Sequence, residues 1–201
     1  MPRTDERGGP QTRARILDVA HTLFLERGYD NVTVAEVARG AGVSSVTVFN
    51  HFPRKEDLFL DRTVDAADLL RAAVRDRAAG VDVLTSLRDM VIRLVEERQP
   101  LSGADPRSVD FFRTVAGSSA LIARAREIVA ELQATLADEL ERDAAFEGDA
   151  ALLAALFIAG YATVMVETAR RVIAGESPDS VLADHRARFD QFFAVLRDGW
   201  S

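Results

Sequence analysis

Apolar residues recur at helical spacing along almost the whole chain, and the strict alternation typical of β-strands is nearly absent. In the first such segment, Ile16, Val19, Ala20, Leu23 and Phe24 fall on one face of a helix. Breaks rich in glycine and proline separate one segment from the next. The pattern therefore predicts an all-α fold of about nine helices. The predicted helices cover residues 12–27, 34–41, 44–52, 55–80, 82–98, 106–115, 118–143, 149–174 and 180–198.

Composition excludes several kinds of functional site. The chain has no cysteine, so it forms neither a disulfide framework nor a thiolate metal site. Its three histidines, His21, His51 and His185, are too far apart in sequence for the usual spacing of metal ligands. The phosphate-binding, dinucleotide-binding and nucleophile-elbow motifs of common enzymes are missing too. We therefore expect no enzyme activity, no cofactor and no bound metal.

Charge is distributed unevenly along the chain. The net charge is −7, yet residues 1–56 hold 8 Lys/Arg against 7 Asp/Glu. The acidity therefore belongs to the remainder, and any affinity for an anionic partner must come from placed contacts more than from bulk charge. The uncharged stretch 150–166 is at the short limit for a membrane span, and we interpret it as a buried or interface helix. The polar opening of the chain, which is unlike a signal peptide, favours a cytoplasmic location.

A pair of short helices around Gly42 is the most informative motif. Thr33 and Glu36 form the capping-box pattern at the start of the first helix, and Ser44 is placed to cap the second. Gly42 lies in the tight turn between them, and the small Ala38 allows the two helices to cross closely. A helix pair of this kind places its second helix in the major groove of DNA.

The segment 33–55 resembles the signature of the TetR family of transcriptional regulators. The matching residues are Val43-Ser44, Thr47, Phe49, Phe52-Pro53 and Lys55-Glu56-Asp57-Leu58, preceded by Gly28-Tyr29 and the Thr33 cap. The resemblance is strong over about residues 12–60 and only architectural beyond them. It implies an N-terminal helix-turn-helix domain followed by a larger helical domain.

The resemblance also implies roles for single residues. Thr33, Thr47, His51 and Lys55 would contact phosphates, and Lys55 is the single lysine of the chain. Asn50 would either contact a base edge or remain a solvated polar residue. Thr33 and Ser44 cap their helices whether or not they also contact a phosphate. The predicted DNA-binding residues are Thr33, Ser44, Ser45, Val46, Thr47, Phe49, Asn50, His51 and Lys55.

Two departures from the family pattern bear on DNA affinity. Phe49 stands where tyrosine is more usual, which removes one phosphate hydrogen bond, and Ser45-Val46 replaces a pair that is often basic or contains glycine. Arginines of the N-terminal arm and first helix are hypothesised to compensate, namely Arg3, Arg7, Arg13 and Arg15.

The C-terminal part carries two predicted surfaces. Apolar residues of the last helix recur at three-four spacing, and with the small-residue helix before it they predict a four-helix interface between two copies. A purely intrachain core is the alternative. The predicted interface residues are Leu156, Leu182, His185, Phe189, Phe192, Phe193 and Leu196. The resemblance further implies an effector pocket for a largely apolar molecule, with Met90, Arg93, Leu94, Phe111, Phe112, Phe157, Tyr161 and Met165 as predicted lining and Arg113 and Glu167 as further charged candidates.

These observations predict three regions: a disordered arm (1–11), a helix-turn-helix domain (12–54), and an effector-binding and dimerisation domain (55–201). The expected function is that of a homodimeric repressor that a small effector releases from a palindromic operator in double-stranded DNA. One alternative is a DNA-binding regulator without a small-molecule ligand, either an activator or controlled by a partner protein. Another is an enzyme with a vestigial DNA-binding domain, which would require acid-base groups that the sequence does not cluster.

Overall fold

The computed structural model describes residues 9–105 and 108–200, and within them it contains nine α-helices and no strand. The all-α prediction is thus confirmed. The helices are α1 (Pro10–Arg27), α2 (Val34–Gly40), α3 (Ser45–His51), α4 (Thr63–Arg75), α5 (Val83–Glu96), α6 (Ser108–Gly117), α7 (Ser119–Arg142), α8 (Ala150–Ile173) and α9 (Pro178–Trp200).

The chain divides into two compact units. The first comprises the described residues up to Asp61 together with Thr114–Arg124, and the second comprises Arg62–Arg113 and the chain from Ala125 onward. The first unit therefore ends seven residues later than the helix-turn-helix domain predicted for 12–54, and it takes in the end of α6 and the start of α7. The order of the sequence does not predict that inclusion, because it does not show which unit the apolar residues of this segment pack against.

The core of the first unit is formed by the buried faces of its helices. Ile16, Ala20, Val37 and Val48 are fully or almost fully buried. Leu121, from the segment distant in sequence, is also fully buried in this cluster. An ion pair and a hydrogen bond also connect this segment to the rest of the unit. Arg124 pairs with Asp57 at 2.8 Å, and the Ser118 hydroxyl donates to the Asp30 carboxylate at 3.1 Å.

The fourth helix is shorter than predicted. A continuous helix over 55–80 was expected, but Glu56–Leu58 forms a single 3-10 turn and α4 begins at Thr63. The Asp57 carboxylate accepts from the backbone N–H of Arg54 at 3.2 Å, which caps the start of this short turn, and it also pairs with Arg124. After Arg75, the Arg77 side chain bonds the carbonyls of Val74 and Val81, which turns the chain away from the helix axis.

The second unit has its own core, built from α4, α5, α7, α8 and α9. Phe157, Leu153 and Phe189 are among its fully or almost fully buried side chains. α8 and α9 approach closely at Gly160, where an added Cβ would lie 2.1 Å from Cε2 of Phe192. Among the described residues, α8 is the one helix long and apolar enough to cross a membrane by length and composition, a test that the core helix of a soluble protein also passes.

The ends of two predicted elements fall partly outside the described residues. α1 begins at Pro10, so residues 10 and 11 of the predicted disordered arm are helical, while Arg3 and Arg7 lie outside the described part of the chain. The predicted helix start at Asp105-Pro106 involves Pro106, which also lies outside it, and α6 is described from Ser108.

Candidate DNA-binding surface

The turn between α2 and α3 is fixed by backbone bonds around Gly42. The Gly42 N–H donates to the Arg39 carbonyl at 3.2 Å, and the Val43 N–H donates to the Ala38 carbonyl at 2.9 Å. This pair of bonds is the Schellman arrangement that ends helices, and it requires a left-handed residue at Gly42, whose φ is +66°. The sequence therefore sets the angle at which α3 leaves α2.

The short helix α3 has one buried and one exposed side. Val48 is fully buried, and Phe52 just beyond the helix is 2% exposed. Val46 and Phe49, on the other side, are 69% and 47% exposed, and Asn50 is exposed beside them. Ser45 and Thr47 are half-buried at the edges of this surface. Six of the predicted DNA-binding residues thus lie on one short helix, with His51 at its end and the other five on or beside its exposed side.

Both predicted hydroxyl caps are present, and each is engaged within the chain. Ser44 accepts from the Thr47 N–H at 3.0 Å, and its hydroxyl lies 2.9 Å from that of Thr47. Thr33 accepts from the Glu36 N–H at 3.3 Å, and its own N–H and hydroxyl donate to the Glu36 carboxylate at 2.9 and 2.8 Å. These bonds, with Arg27 at 2.8 Å, lower the pKa of Glu36 to about 2. A phosphate at Thr33 would therefore meet a neighbouring carboxylate.

Lys55 lies against the interior of the first unit. Its Nζ donates to the backbone carbonyl of Tyr29 at 2.6 Å and sits 4.1 Å from the centre of the Tyr29 ring. Burial lowers the pKa of Lys55. The family resemblance implies that Lys55 binds a phosphate. It would have to do so through the ammonium N–H groups that do not donate to the Tyr29 carbonyl.

Two further predicted residues can be placed in the first unit. His51 is half-buried at the end of α3, with its ring 6.3 Å from the ring of Phe52. Arg13 packs over the other side of the small core, 4.9 Å from the Phe52 ring centre, and it donates to the Asp61 carbonyl at 3.4 Å. Arg13 therefore has a structural role in this unit, and among the arginines hypothesised to compensate for Phe49 only Arg15 is described as exposed.

The predicted effector-pocket residues do not all meet at one cavity. Met90, Arg93 and Leu94 line an open cleft of about 570 Å³ beside α4, α5 and the turn that follows α5. Phe112 lines a separate, much smaller cavity of about 50 Å³. Phe157 is 1% exposed in the core and Phe111 is 38% exposed at the surface, and neither lines one of these two cavities.

Tyr161 and Met165 serve the packing of the loop after α5. The Tyr161 hydroxyl donates to the Leu101 carbonyl at 2.5 Å. Met165 packs so closely on Gly103 that an added Cβ there would lie 2.7 Å from its Cε. Of the charged candidates, Glu167 lies 3.5 and 3.6 Å from Arg170 and Arg188, and Arg113 lies 3.6 Å from Asp110. None of these four lines the large cleft.

The predicted dimer stripe on α9 mostly faces the interior of its own chain. His185, Phe189, Phe193 and Leu196 are 1%, 0%, 6% and 6% exposed, so their assignment to an interface is wrong. Periodicity shows that a helix face is buried but not which chain buries it. The Nδ1 of His185 lies 2.6 Å from the Thr168 hydroxyl, and burial lowers the pKa of the ring. Leu182 and Phe192 are half-buried, and Leu156 is 45% exposed.

The exposed apolar face of this helix pair lies mainly on α8, where Leu156 was the one residue predicted for the interface. Leu152, Leu156 and Val166 are 50%, 45% and 63% exposed. With the exposed Ala159 and Thr163 they follow the alternating four-three spacing of an interface helix. The Thr163 hydroxyl donates to the Ala159 carbonyl at 2.8 Å, which satisfies its polar group within the helix. On α9, Val195 is 66% exposed. We call the five α8 residues the outer face of α8.

In the described part of the chain, no group of three or more His, Cys, Asp or Glu side chains is placed to hold a metal ion.

Comparisons with known proteins agree with the geometry of α2 and α3. Residues 16–61 match the family model described as bacterial regulatory proteins, tetR family. The chain is 34% identical over 91 residues to the HTH-type transcriptional repressor KstR2 of Rhodococcus jostii (strain RHA1), which is 45% of each chain. It is 39% identical over 59 residues to the HTH-type transcriptional regulator AcrR of Shigella flexneri, which is 29% of this chain and 27% of that one. The chain thus spans less than half the length of these relatives.

A solved structure has the same fold over nearly the whole chain. NalD, the secondary repressor of the MexAB-OprM multidrug efflux pump in Pseudomonas aeruginosa, superposes with a TM-score of 0.54 at 20% identity. The match covers 92% of this chain and 94% of NalD. Together with the Gly42 turn and the exposed side of α3, this fold defines a helix-turn-helix protein. Its N-terminal segment, residues 16–61, is similar to the N-terminal segment of the tetR family of bacterial regulatory proteins.

Proposed function

We propose that this protein is a transcriptional repressor that binds a palindromic DNA operator as a homodimer and leaves it when a small effector binds. The observation that carries the proposal is α3, a helix held by the Gly42 turn whose outward side contributes nothing to the core of its unit. The family match over residues 16–61 and the repressor name of the R. jostii relative support it. A protein with this function works in the cytoplasm, where the chromosome is, and needs no catalytic group.

The proposed reading helix contacts bases with its exposed side chains and phosphates with flanking hydroxyls. Ser44 and Thr47 share one hydroxyl-hydroxyl bond, so whichever of them donates, the other keeps its hydrogen for a phosphate oxygen. Thr33, His51 and Lys55 remain proposed phosphate contacts. They would add the salt-dependent part of the affinity, which matters because the chain as a whole is acidic.

The proposed dimer forms through the outer face of α8 and the adjoining exposed surface of α9. Leu156 lies at the middle of this face and Val195 contributes from α9. A twofold axis would bring the same faces together and build a four-helix interface. Two linked copies of α3 would then meet two half-sites, and the second contact would become effectively intramolecular.

The proposed effector site is the cleft beside α4 and α5. Its volume of about 570 Å³ lies in the range of small-molecule sites. Leu69, Met90, Leu94 and Leu101 supply its apolar lining, and Arg93 is an exposed charge at its edge. An effector would release the operator by binding the released conformation more tightly than the DNA-bound one.

Selection of bound sequences from random or genomic DNA tests the function directly. The expected result is one enriched sequence with twofold symmetry and half-sites about one helical turn apart. A library that emerges unenriched at low salt would refute the DNA-binding function.

The effector is tested by operator release and thermal shift across metabolite pools. A compound found in this way should lose its effect on Met90→Trp, which narrows the cleft, and keep it on Val64→Trp, an exposed position of α4 that does not line the cleft. Equal responses of the two variants would place the effector elsewhere.

A further inference from the structure

The outward side of α3 carries two large apolar side chains that the protein itself does not use. Val46 and Phe49 are 69% and 47% exposed, and they lie one helical turn apart, with Asn50 one turn from Val46 on the same side. The packing of α3 against its unit is supplied by Val48 and Phe52 on the opposite side. Such exposure on a seven-residue helix gains nothing for folding, so its use lies in what α3 contacts.

The side chains of α3 select among the base pairs by their chemistry. The segment Ser45–His51 contains no Arg, Lys, Asp or Glu. Guanine is most often read by Arg or Lys and cytosine by Asp or Glu, so α3 has no side chain for either of these contacts. Thymine is distinguished in the major groove by its C5-methyl group, which apolar side chains contact, and adenine is read bidentately by Asn.

On the basis of the proposed function, we infer that Val46 and Phe49 bind thymine methyl groups and that Asn50 binds an adjacent adenine. The half-site therefore has A·T pairs where α3 lies in the groove. The position of these residues in the segment that matches the tetR family model supports DNA as the occupant of this surface. Phe49 then binds a base. The replacement of the more usual tyrosine by phenylalanine would in that case serve base recognition, and would not simply remove a phosphate contact.

Thymine-to-uracil replacement in the selected operator tests this inference on the unaltered protein. Deoxyuridine removes only the C5-methyl group and keeps every hydrogen-bonding group of the base pair. Each thymine is replaced singly, and the dissociation constant is measured for every duplex. We expect about a fourfold loss of affinity at one or two positions in each half-site, as for one buried methyl group, and no change at the others.

Variants assign each methyl group to its side chain. Val46→Ala should bind the thymine and uracil duplexes equally at one of the sensitive positions, and Phe49→Ala should do so at the other. Leu25→Ala is the matched control, because Leu25 is 72% exposed on α1 of the same unit and should leave both differences intact. Asn50→Ala should abolish the preference for adenine beside these positions.

The outcomes separate this inference from the function on which it rests. If no duplex is selected, the DNA-binding function is refuted and the inference with it. If a duplex binds tightly but every thymine can become uracil without loss, the function stands and the inference is overturned. Equal weakening of thymine and uracil duplexes by Val46→Ala and by Phe49→Ala would likewise overturn the assignment.

Discussion

Glu36 connects the start of α2 to the pH dependence of stability. The Thr33 N–H and hydroxyl and the Arg27 guanidinium lower its pKa to about 2 in the folded state. A carboxylate whose folded pKa lies below its unfolded value contributes stability above the unfolded pKa, and that stability is lost as the pH falls. The capping box is therefore fully effective near neutral pH and weakens from about pH 4.5 downward.

Glu36→Gln should accordingly lower the free energy of unfolding at pH 7, and its difference from the wild type should shrink as the pH falls from about 4.5 toward 3. Urea unfolding at a series of pH values measures both quantities. Glu26→Gln, at an exposed position of α1, is the control and should remain close to the wild type throughout. A Glu36→Gln difference that stays constant with pH would contradict the pKa shift.

Lys55 is expected to stabilise the first unit. Its ammonium group joins the Tyr29 carbonyl at 2.6 Å and the face of the Tyr29 ring at 4.1 Å. Lys55→Met retains most of the apolar stem and removes the charge, so its loss of stability should reflect these two contacts and amount to roughly 1–3 kcal/mol. Chemical unfolding measures it, and an unchanged midpoint would show that the two contacts contribute nothing.

The same variant tests the proposed phosphate contact. If Lys55 also binds a phosphate, the slope of log K against log salt should fall by about 0.9 in the folded Lys55→Met protein. An altered stability with an unaltered slope would leave Lys55 a purely structural role.

At the scale of the helix, the sequence predicted the bounds of the helices along the chain much better than it predicted which residues pack against them. Eight of the nine helices have bounds close to those predicted, because caps such as Thr33 and Ser44 and breakers such as Gly42 act locally. The fourth helix was predicted too long, and in its first part Asp57 pairs with Arg124, 67 residues away. No local pattern records such a pairing.

Sites built from several elements were predicted less well for the same reason. The predicted DNA-binding residues of α3 lie within one short helix, and Val46, Phe49 and Asn50 among them are exposed together. The pocket residues came from four segments, and only Met90, Arg93 and Leu94 meet at the large cleft. The apolar stripe of α9 was correctly recognised as a buried face, but Phe189 and Phe193 pack within their own chain.

The close approach of α8 and α9 depends on Gly160. A Cβ there would lie 2.1 Å from Cε2 of Phe192, whose ring is held between Phe157 and Phe193 at centroid distances of 6.1 and 5.0 Å. Gly160→Ala gains helix propensity of up to about 1 kcal/mol, but the overlap costs more because it pushes the Phe192 ring against its aromatic neighbours.

We therefore expect Gly160→Ala to destabilise the protein by roughly 1–2 kcal/mol in thermal or urea unfolding. Phe192→Leu should recover part of that loss when it is added to Gly160→Ala, and the double-mutant cycle isolates the contact. Gly199→Ala, on α9 with no atom within 4 Å of the added Cβ, should be neutral or slightly stabilising. Equal effects of the two alanine substitutions would show that crowding at Gly160 is unimportant.

For the whole molecule, the proposed dimer would account for the absence of charge over most of the length of α8. Its inner side is buried among α9 and the core, as Leu153 and Phe157 show. Its outer side exposes apolar residues that a second copy would cover. In the proposed dimer one side of α8 would be buried within the chain and the other between chains, which would account for its apolar composition.

Leu156→Glu tests the proposed assembly. A second copy would bury this position, so the variant places one carboxylate from each chain in an apolar contact, at a cost of several kcal/mol per dimer and a rise of roughly 100-fold or more in the dimer dissociation constant. Because Leu156 is 45% exposed in the single chain, the fold should persist, and the melting of the isolated chain should change little. Sedimentation should therefore show a folded monomer.

The DNA affinity of that monomer then completes the test, because a single copy of α3 reads only one half-site. Leu156→Glu should bind an isolated half-site as well as the wild-type chain does, while its advantage on the full palindrome disappears. Leu25→Glu, on an exposed position of α1 in the first unit, should stay dimeric and keep that advantage. A Leu156→Glu protein that sediments as a dimer would mean that the chains associate through a surface other than the outer face of α8.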